Sequence, residues 1–278
     1  MGRSLSHAEV ANILVEVFAS VSGELNYSNQ FIQYKHNIES RPILFDTATT
    51  FSYNDYFTMQ EINHCLSLTT ESSPGLDKIT YSMLKHLYHN ITKVILYTFN
   101  KIYQDNIYPD WWKTAIIVPI LKPLKDPLYS LTYYPISLTS CLSKLLEKMI
   151  NIRLMWYLEE GNYISCAQSG FRTNRSTSDH LCQMESYVQQ AITNRQHTKA
   201  VFFDLTKAYD TALHRGVLNG LYSFGLGDHC LNLLWNSYQT NRLWFMLGIH
   251  YQTLKLFLRE FCRDLYCPAK VLWLQLTK

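Results

Sequence analysis

A short apolar run that ends in a carboxylate constrains the fold of this chain more than any other stretch. In residues 199–212, KAVFFDLTKAYDTA, apolar or small residues lead into Asp204, and Asp210 follows six positions later. The run is too apolar for a strand with one face in water, so residues 199–204 are predicted to form a strand near the centre of a sheet. Asp204 then lies at the C-terminal end of that strand.

An aspartate at such a position has two interpretations. It can cap a helix or stabilise a turn, which is common for this residue type. It can also bind a hard cation such as Mg²⁺, and two such ions about 4 Å apart stabilise the attacking and leaving oxygens of phosphoryl transfer. Asp204 alone cannot hold two ions, so the second interpretation requires another carboxylate from a different strand.

The remaining patterns favour an α+β fold, because helical and strand-like segments are mixed without strict alternation. Apolar residues at three- and four-residue steps predict helices at 7–20, 81–103 and 138–160, the last with Leu138, Leu142, Leu145, Met149 and Ile152 on one face. Other predicted elements are a strand in 111–123 ending at Pro119 or Pro123, a helix after a Ser176–Asp179 capping box, two short helices split by FGLGD, and a strand in 242–250. Residues 22–58 are predicted to be mostly irregular, and 72–80 to form a turn-rich loop.

Composition excludes some protein classes. The net charge of +3 is mild for a protein that coats nucleic acid, although a polymerase groove needs only local basic density. No apolar run approaches the ~20 residues of a membrane span, and the N-terminus is typical of an amphipathic helix. The seven cysteines contain no CxxC pair, which indicates reduced thiols, an intracellular protein of cytoplasm or nucleus, and no structural zinc.

Several motifs in order resemble the reverse transcriptases of non-LTR retrotransposons, of the Jockey-like kind. The matching segments are SSPGLDKITYSMLKHL, AIIVPILKPLKDP, YYPISLTSCLSKLLEKMINIRL, QSGFRTNRSTSDHL and FFDLTKAYDT. The resemblance covers roughly residues 5–258 and implies an incomplete right-hand polymerase fold. In it, residues 1–70 form a helical and irregular extension, 71–198 the fingers and 199–258 part of the palm.

The resemblance also implies roles for residues after the predicted strand. Asp204 is the catalytic aspartate that binds Mg²⁺, and the backbone carbonyl of Leu205 lies near the same metal. Tyr209 is a steric gate, because a ring under the sugar leaves no room for a ribose 2′-hydroxyl. Asp210 is interpreted as structural, a cap or an ion-pair partner.

In the fingers, Lys122 and Lys125 are expected to meet the incoming triphosphate, although both are equally typical of solvated loop lysines. Arg172 and Arg175 are expected to contact template or primer phosphates, or else to anchor their loop.

Gln168 and Phe171 are expected to shape the template path. The implied partners are an RNA template, a DNA primer and deoxynucleoside triphosphates, with Mg²⁺ as cofactor and no membrane partner. The implied reaction is nucleotidyl transfer, and the sequence leaves the oligomeric state open.

Two residues depart from the family pattern. Leu124 replaces the glycine of KPGKD, so a turn that favours a flexible backbone carries a side chain. Tyr134 replaces the arginine of YRPISL, and a tyrosine cannot supply a bidentate charged contact to a triphosphate.

The family's GVPQGSILSP segment and its paired-aspartate hairpin do not occur in the sequence. The segment REFCRDLYCP can be encoded so that a shifted frame reads Gly-Val-Leu-Gln-Gly-Ser-Ile-Leu-Ser. We therefore expect residues 259–278 to be out of frame, and strand 199–204 to be left with an exposed edge and face. Two hypotheses follow, an RNA-directed DNA polymerase and a catalytically dead relic that at most binds nucleic acid weakly.

Overall fold

The computed structural model describes residues 7–20, 23, 27–40, 45, 52–203, 213–238 and 275–277. Helices and strands are mixed within these ranges, as the α+β prediction requires. The helices are α1 (His7–Ser20), α2 (Asn29–Glu39), α3 (Met59–Ser67), α4 (Tyr81–Lys85), α5 (His89–Asp105), α6 (Cys141–Glu160), α7 (Thr177–Thr193), α8 (His214–Ser223) and α9 (Asp228–Tyr238). The strands are β1 (Ile116–Leu121), β2 (Tyr133–Leu138), β3 (His197–Lys199) and β4 (Gln275–Thr277).

The chain divides into two compact units. One contains residues 1–154 and 213–249, and the other contains 155–212 and 250–278. Helix α6 contributes to both units. In the described part of the chain, no helix combines the length and the apolar character needed to cross a membrane.

The core of the first unit is a helical layer. Helix α9 packs against α5 and α8, and α3 packs against α4 and α5. The largest fully buried side chains include Trp112, Tyr103, Phe99, Ile62, Leu145, Leu146, Leu218 and Leu231. Two separate segments of the chain supply them, residues 52–154 and residues 213–238. The second segment is therefore needed to complete the core.

The guanidinium of Arg153 on α6 ties the start of the unit to this core. It donates two hydrogen bonds to the carboxylate of Glu61 and three to backbone carbonyls within residues 53–56. Its carbon also lies 4.1 Å from the centroid of the Phe57 ring. The polar segment before α3 is therefore fixed to α6 by a single side chain.

The turn-rich loop of residues 72–80 packs against the start of α6. The carboxylate of Asp77 accepts a hydrogen bond from the Ser140 hydroxyl, and that hydroxyl oxygen accepts the backbone N–H of Leu142 at 3.2 Å. The Lys144 ammonium donates to the Ser72 hydroxyl at 3.0 Å. Two of the segments that resemble the reverse transcriptases are thus held together by their own polar side chains.

Strands β1 and β2 form an antiparallel hairpin with Ile116 opposite Leu138 and Leu121 opposite Tyr133. Pro119 lies opposite Pro135, so the two residues that lack an N–H donor face each other in the ladder. The predicted strand ends at Leu121, between the two prolines that were expected to end it. Most side chains of both strands are partly or fully exposed.

The second unit contains α7 and the short sheet β3–β4. The predicted capping box is confirmed in that the Asp179 carboxylate accepts the backbone N–H of Ser176. The predicted central strand at 199–204 is wrong in position, since β3 spans His197–Lys199 and pairs in antiparallel fashion with β4. Residues 200–203 are irregular, and Phe202 is 74% exposed. No second sheet or helix covers them among the described residues, so their apolar side chains face solvent.

Three other predictions need correction. Residues 22–58 contain helix α2, whose start is stabilised because the Ser28 hydroxyl accepts the N–H of Phe31 at 3.2 Å. The single helix predicted at 81–103 is two helices, because α4 ends at its C-cap His86 and the backbone of Tyr88 is extended, with φ −64° and ψ 147°, before α5 begins.

The helix predicted at 138–160 begins at Cys141, and Leu138 belongs to β2. Its buried face includes the predicted Leu145 and Met149, whereas Leu142 and Ile152 are half-buried. The helix predicted at 7–20 and the two short helices around FGLGD are confirmed. The strand predicted at 242–250 lies outside the described residues.

We predict that Gly75→Ala destabilises the first unit. An added Cβ would lie 2.7 Å from the Ser140 nitrogen and 2.8 Å from the Thr139 carbonyl carbon, both backbone atoms that cannot rotate away. The expected loss is about 1–3 kcal/mol, measured by urea denaturation. Gly170→Ala is the matched control, because nothing lies within 4 Å of its added Cβ. Equal midpoints for the two variants would contradict the docking of the loop on α6.

We also predict that acid weakens the fold well above the pKa of ordinary carboxyl groups. Burial, and then the nearby charge of Lys35, lower the pKa of His214 from 6.5 to about 4. Between these values the unfolded chain binds more protons than the folded chain, so stability falls as pH decreases from 6.5 to 4. We expect the free energy of unfolding, measured by urea denaturation, to fall by on the order of 2 kcal/mol across this window.

His214→Gln should flatten that pH dependence, whereas the same change at exposed His64 should preserve it.

A second loss of stability is expected at still lower pH, and its cause is Glu61. Burial raises the pKa of Glu61, but hydrogen bonds from Arg153 and Thr58 outweigh that effect and lower it below 4.5. The contribution of the Glu61 carboxylate is therefore present above pH 4.5 and is lost as pH falls through the lowered value. Between pH 6.5 and 4, an unchanged dependence of stability on pH in His214→Gln would show that a group other than His214 titrates there.

Candidate nucleotide and nucleic-acid site

The predicted site residues fall into three segments of the chain. Asp204, Leu205, Tyr209 and Asp210 lie outside the described residues, so their roles stay predictions. Lys122 and Lys125 lie in the β1–β2 loop of the first unit. The other four lie in the loop of the second unit that leads into α7, and the structure describes each loop by itself.

The β1–β2 loop continues the hairpin by one pair and then turns. The backbone N–H of Lys122 donates to the Thr132 carbonyl at 2.8 Å, and the N–H of Lys125 donates to the Lys122 carbonyl at 3.2 Å. The Asp126 carboxylate accepts the N–H of Leu128 at 2.9 Å. These bonds place both lysines at the tip of the hairpin, where Lys125 is exposed.

The Lys122 ammonium has partners within its own hairpin. It donates to the Leu131 carbonyl at 2.8 Å and lies 4.9 Å from the centroid of the Tyr134 ring. A cation over an exposed ring is stabilised by about 0.5–1 kcal/mol. Tyr134, which replaces an arginine of the family, therefore gives the tip an aromatic surface that holds Lys122.

The second departure, Leu124, occupies a left-handed backbone conformation. Its φ is 59°, and its side chain is fully exposed. Residues other than glycine, asparagine and aspartate rarely adopt this conformation, which costs roughly 1–2 kcal/mol for a side chain with a Cβ. The backbone of this turn therefore keeps a conformation that suits glycine, although a leucine occupies the position.

In the loop before α7, the Arg172 side chain is engaged by groups of the same unit. Its guanidinium pairs with the Glu159 carboxylate through two hydrogen bonds and donates to the Ser165 and Gln168 carbonyls. The Glu159 hydrogen bond raises the pKa of Arg172. This is the geometry of the loop-anchoring alternative, and a phosphate contact by Arg172 stays a prediction.

The other three residues of this loop differ in exposure. Gln168 is buried, with its amide nitrogen donating to the Gly170 carbonyl at 3.3 Å, and its side-chain oxygen has no hydrogen-bond partner in the described structure. Phe171 has a φ of 62° and is 42% exposed. Arg175 is exposed and has no ion pair with any described carboxylate. Arg175 is therefore the cation of this loop best placed for an external phosphate.

Metal binding rests on residues that the structure leaves undescribed. Among the described residues, no three histidine, cysteine, aspartate or glutamate side chains form a group that could hold a metal ion. Asp204, the predicted ligand, lies outside them. The prediction of Mg²⁺ thus depends on the family and on no described geometry.

Sequence reasoning missed the pair formed by Arg153 and Glu61, although two signals for it were present. Residues 58–61, TMQE, match the capping-box pattern, and Thr58 and Glu61 form that box at the start of α3. Arg153 is the only charged residue in 149–158, and a lone charge in an apolar helix requires a partner when buried.

Comparison with known proteins finds a matching family for part of the chain. The family described as reverse transcriptase (RNA-dependent DNA polymerase) matches residues 124–256. A probable RNA-directed DNA polymerase from transposon BS of Drosophila melanogaster is 30% identical over 216 residues, which are 71% of this chain and 24% of the relative. Residues 124–256, a little less than half of the chain, are thus similar to the reverse transcriptase family.

Two further relatives agree with that family. The RNA-directed DNA polymerase from mobile element jockey of Drosophila funebris is 30% identical over 165 residues, 59% of this chain and 18% of the relative. A probable RNA-directed DNA polymerase from transposon X-element of Drosophila melanogaster is 30% identical over 149 residues, 54% of this chain and 16% of the relative. The resemblance to reverse transcriptases of the Jockey-like kind is confirmed, and the chain spans about a quarter or less of each of these relatives.

We predict that Leu124→Gly stabilises the chain by about 0.5–1 kcal/mol, since it removes the strain of a side chain at φ 59°. Leu128→Gly is the matched control. Leu128 is also an exposed leucine of this loop, but its φ is not positive, so glycine there only increases the entropy of the unfolded chain. Urea denaturation should shift the two variants in opposite directions. A shift in the same direction would show that the backbone at Leu124 is unstrained.

Proposed function

We propose that this chain is the fingers and the first part of the palm of an RNA-directed DNA polymerase of a non-LTR retrotransposon. The observation that carries the proposal is the family match over residues 124–256, supported by relatives named RNA-directed DNA polymerases. Its boundaries are residues 71–198 for the fingers and 199–258 for the palm, after an extension of residues 1–70. The mixed α and β architecture agrees with such a fold.

In this proposal, a DNA primer pairs with an RNA template, and the primer's 3′-hydroxyl attacks a deoxynucleoside triphosphate. Asp204 binds Mg²⁺ with the Leu205 carbonyl near it, and Mg²⁺ when bound supplies stabilisation of the charge that develops on the phosphate oxygens. The Tyr209 ring excludes a ribose 2′-hydroxyl. Lys122 and Lys125 hold the triphosphate.

The geometry of the hairpin tip supports the last of these roles. A lysine ammonium has three N–H donors, and the Leu131 carbonyl takes one from Lys122. The Tyr134 ring lies against the same ammonium, which leaves one donor for a phosphate oxygen, while the neighbouring Lys125 is exposed. In the other unit, exposed Arg175 is the cation proposed for template or primer phosphates, with Phe171 and Gln168 shaping the path.

A second candidate is a catalytically dead relic that at most binds nucleic acid weakly. It is favoured by Tyr134, whose ring holds Lys122 at a position where the family pattern has an arginine. It is also favoured by the end of the family match at residue 256, three positions before Arg259, from which the residues are expected to be out of frame.

Primer extension on the full chain tests the proposal. With a homopolymer RNA template, a DNA primer, the matching deoxynucleotide and Mg²⁺, we expect extension that Asp204→Asn reduces by at least about 100-fold. Asp210→Asn, the same change at the aspartate interpreted as structural, should keep most of the activity. Lys125→Gln should raise the KM for the nucleotide about tenfold with a smaller change in kcat, because it removes ground-state contact to phosphate.

No extension by the unchanged chain would favour the relic. In that case, a fluorescent triphosphate titrated against the chain and against Lys125→Gln distinguishes residual binding from none. Extension that survives Asp204→Asn would overturn the assignment of the catalytic aspartate.

A further inference from the structure

The positive charge of this chain is concentrated in one segment. Residues 78–104 contain four lysines and no aspartate or glutamate. The whole chain has 25 basic and 22 acidic residues, so the remainder has 21 basic and 22 acidic residues, a net charge of −1. This one segment, which contains α4 and most of α5, therefore carries a charge of +4 on a chain that is otherwise nearly neutral.

Helix α5 presents part of this charge on its outer face. Its inner face is defined by buried Thr92, Phe99 and Tyr103, and it packs on α3 and α9. Lys93, Tyr97 and Lys101 follow one another at four-residue steps and are all exposed. Residues four apart in a helix lie on the same face, so the three side chains form a row about 12 Å long along the helix axis.

Tyr97, the aromatic residue of this row, is 71% exposed. An exposed ring between two lysines is the arrangement that binds single-stranded nucleic acid, because a base stacks on the ring and the flanking ammonium groups contact phosphates. Neither stacking nor phosphate contact depends on base sequence.

Charge also decides between possible occupants of the face. Lys101 pairs with Asp105 at 2.9 Å, but the pair is exposed, so it is weak and a phosphate can replace it. Asp105 lies one four-residue step beyond Lys101, so the row from Lys93 to Asp105 carries a net charge of +1. A face of net positive charge attracts a polyanion and repels a second copy of itself.

We propose that the outer face of α5, formed by Lys93, Tyr97 and Lys101, binds single-stranded nucleic acid outside the polymerase site. The contact needs neither Asp204 nor a metal ion. It therefore goes beyond the proposed polymerase function and remains available to a chain that performs no chemistry.

Fluorescence anisotropy of the full chain with a labelled single-stranded polyuridine tests this proposal. We expect Tyr97→Ala to raise Kd roughly tenfold through lost stacking, and Tyr97→Phe to leave Kd unchanged, because stacking needs the ring and not the hydroxyl. The double change Lys93→Gln with Lys101→Gln should reduce the magnitude of the slope of log K against log salt by about 1.4, for two phosphates at ~0.7 each. Unchanged melting temperatures establish that these exposed substitutions leave the fold intact.

Two controls separate this face from the rest of the chain. Lys199→Gln makes the same change at an exposed lysine elsewhere and should not alter the salt slope. Binding measured without Mg²⁺ and without deoxynucleotides is the second control, because its result is then independent of primer extension. An equal effect of Lys199→Gln and the double change would overturn the proposal, since binding would then reflect net charge alone. Binding that is insensitive to Tyr97→Ala, or self-association that Tyr97→Ala abolishes, would also overturn it.

Discussion

The first unit depends on the guanidinium of Arg153. All five of its N–H groups donate, two to the Glu61 carboxylate and three to carbonyls of residues 53–56. Such a pair is not necessarily more stabilising than apolar residues of the same size, but removing one partner leaves a charge and several carbonyls unsatisfied. The stretch before α3 buries Tyr53 and Phe57 in the core, and this side chain specifies where the backbone of that stretch docks on α6.

The sequence correctly predicted those helices whose signals, such as apolar spacing or a cap, lie within a few residues. The spacing of α1 and the Asp179 cap of α7 both act within a few residues, and both predictions hold. The break after α4 was missed because the apolar spacing continues through Leu87 and Ile91, on either side of the extended Tyr88, so no hydrophobic pattern marks the break. Helix α2 was missed because its cap, Ser28, precedes a polar sequence without a strong apolar stripe.

The candidate site could be predicted by residue but not by contact. Lys122 was expected at the hairpin, yet its contact with Tyr134 depends on the β1–β2 register, which places Tyr134 opposite Ile120. Arg172 was left with two roles, and Glu159, 13 residues earlier on α6, supplies the anchoring contact. In both cases the partner is fixed by tertiary structure, so the sequence could supply the candidates and not the choice between them.

The two departures at the hairpin tip show that fold and chemistry are encoded separately in this chain. Leu124 adds backbone strain of roughly 1–2 kcal/mol, and Tyr134 replaces a cation by a ring, yet the ladder from Ile116 to Leu121 remains fully paired with β2. The register depends on backbone hydrogen bonds and tolerates either side chain. The charged face of α5 depends on neither residue, because it is built on a helix that the core of the unit holds. Loss of nucleotide chemistry at the tip would therefore leave both the fold and a nucleic-acid-binding face in place.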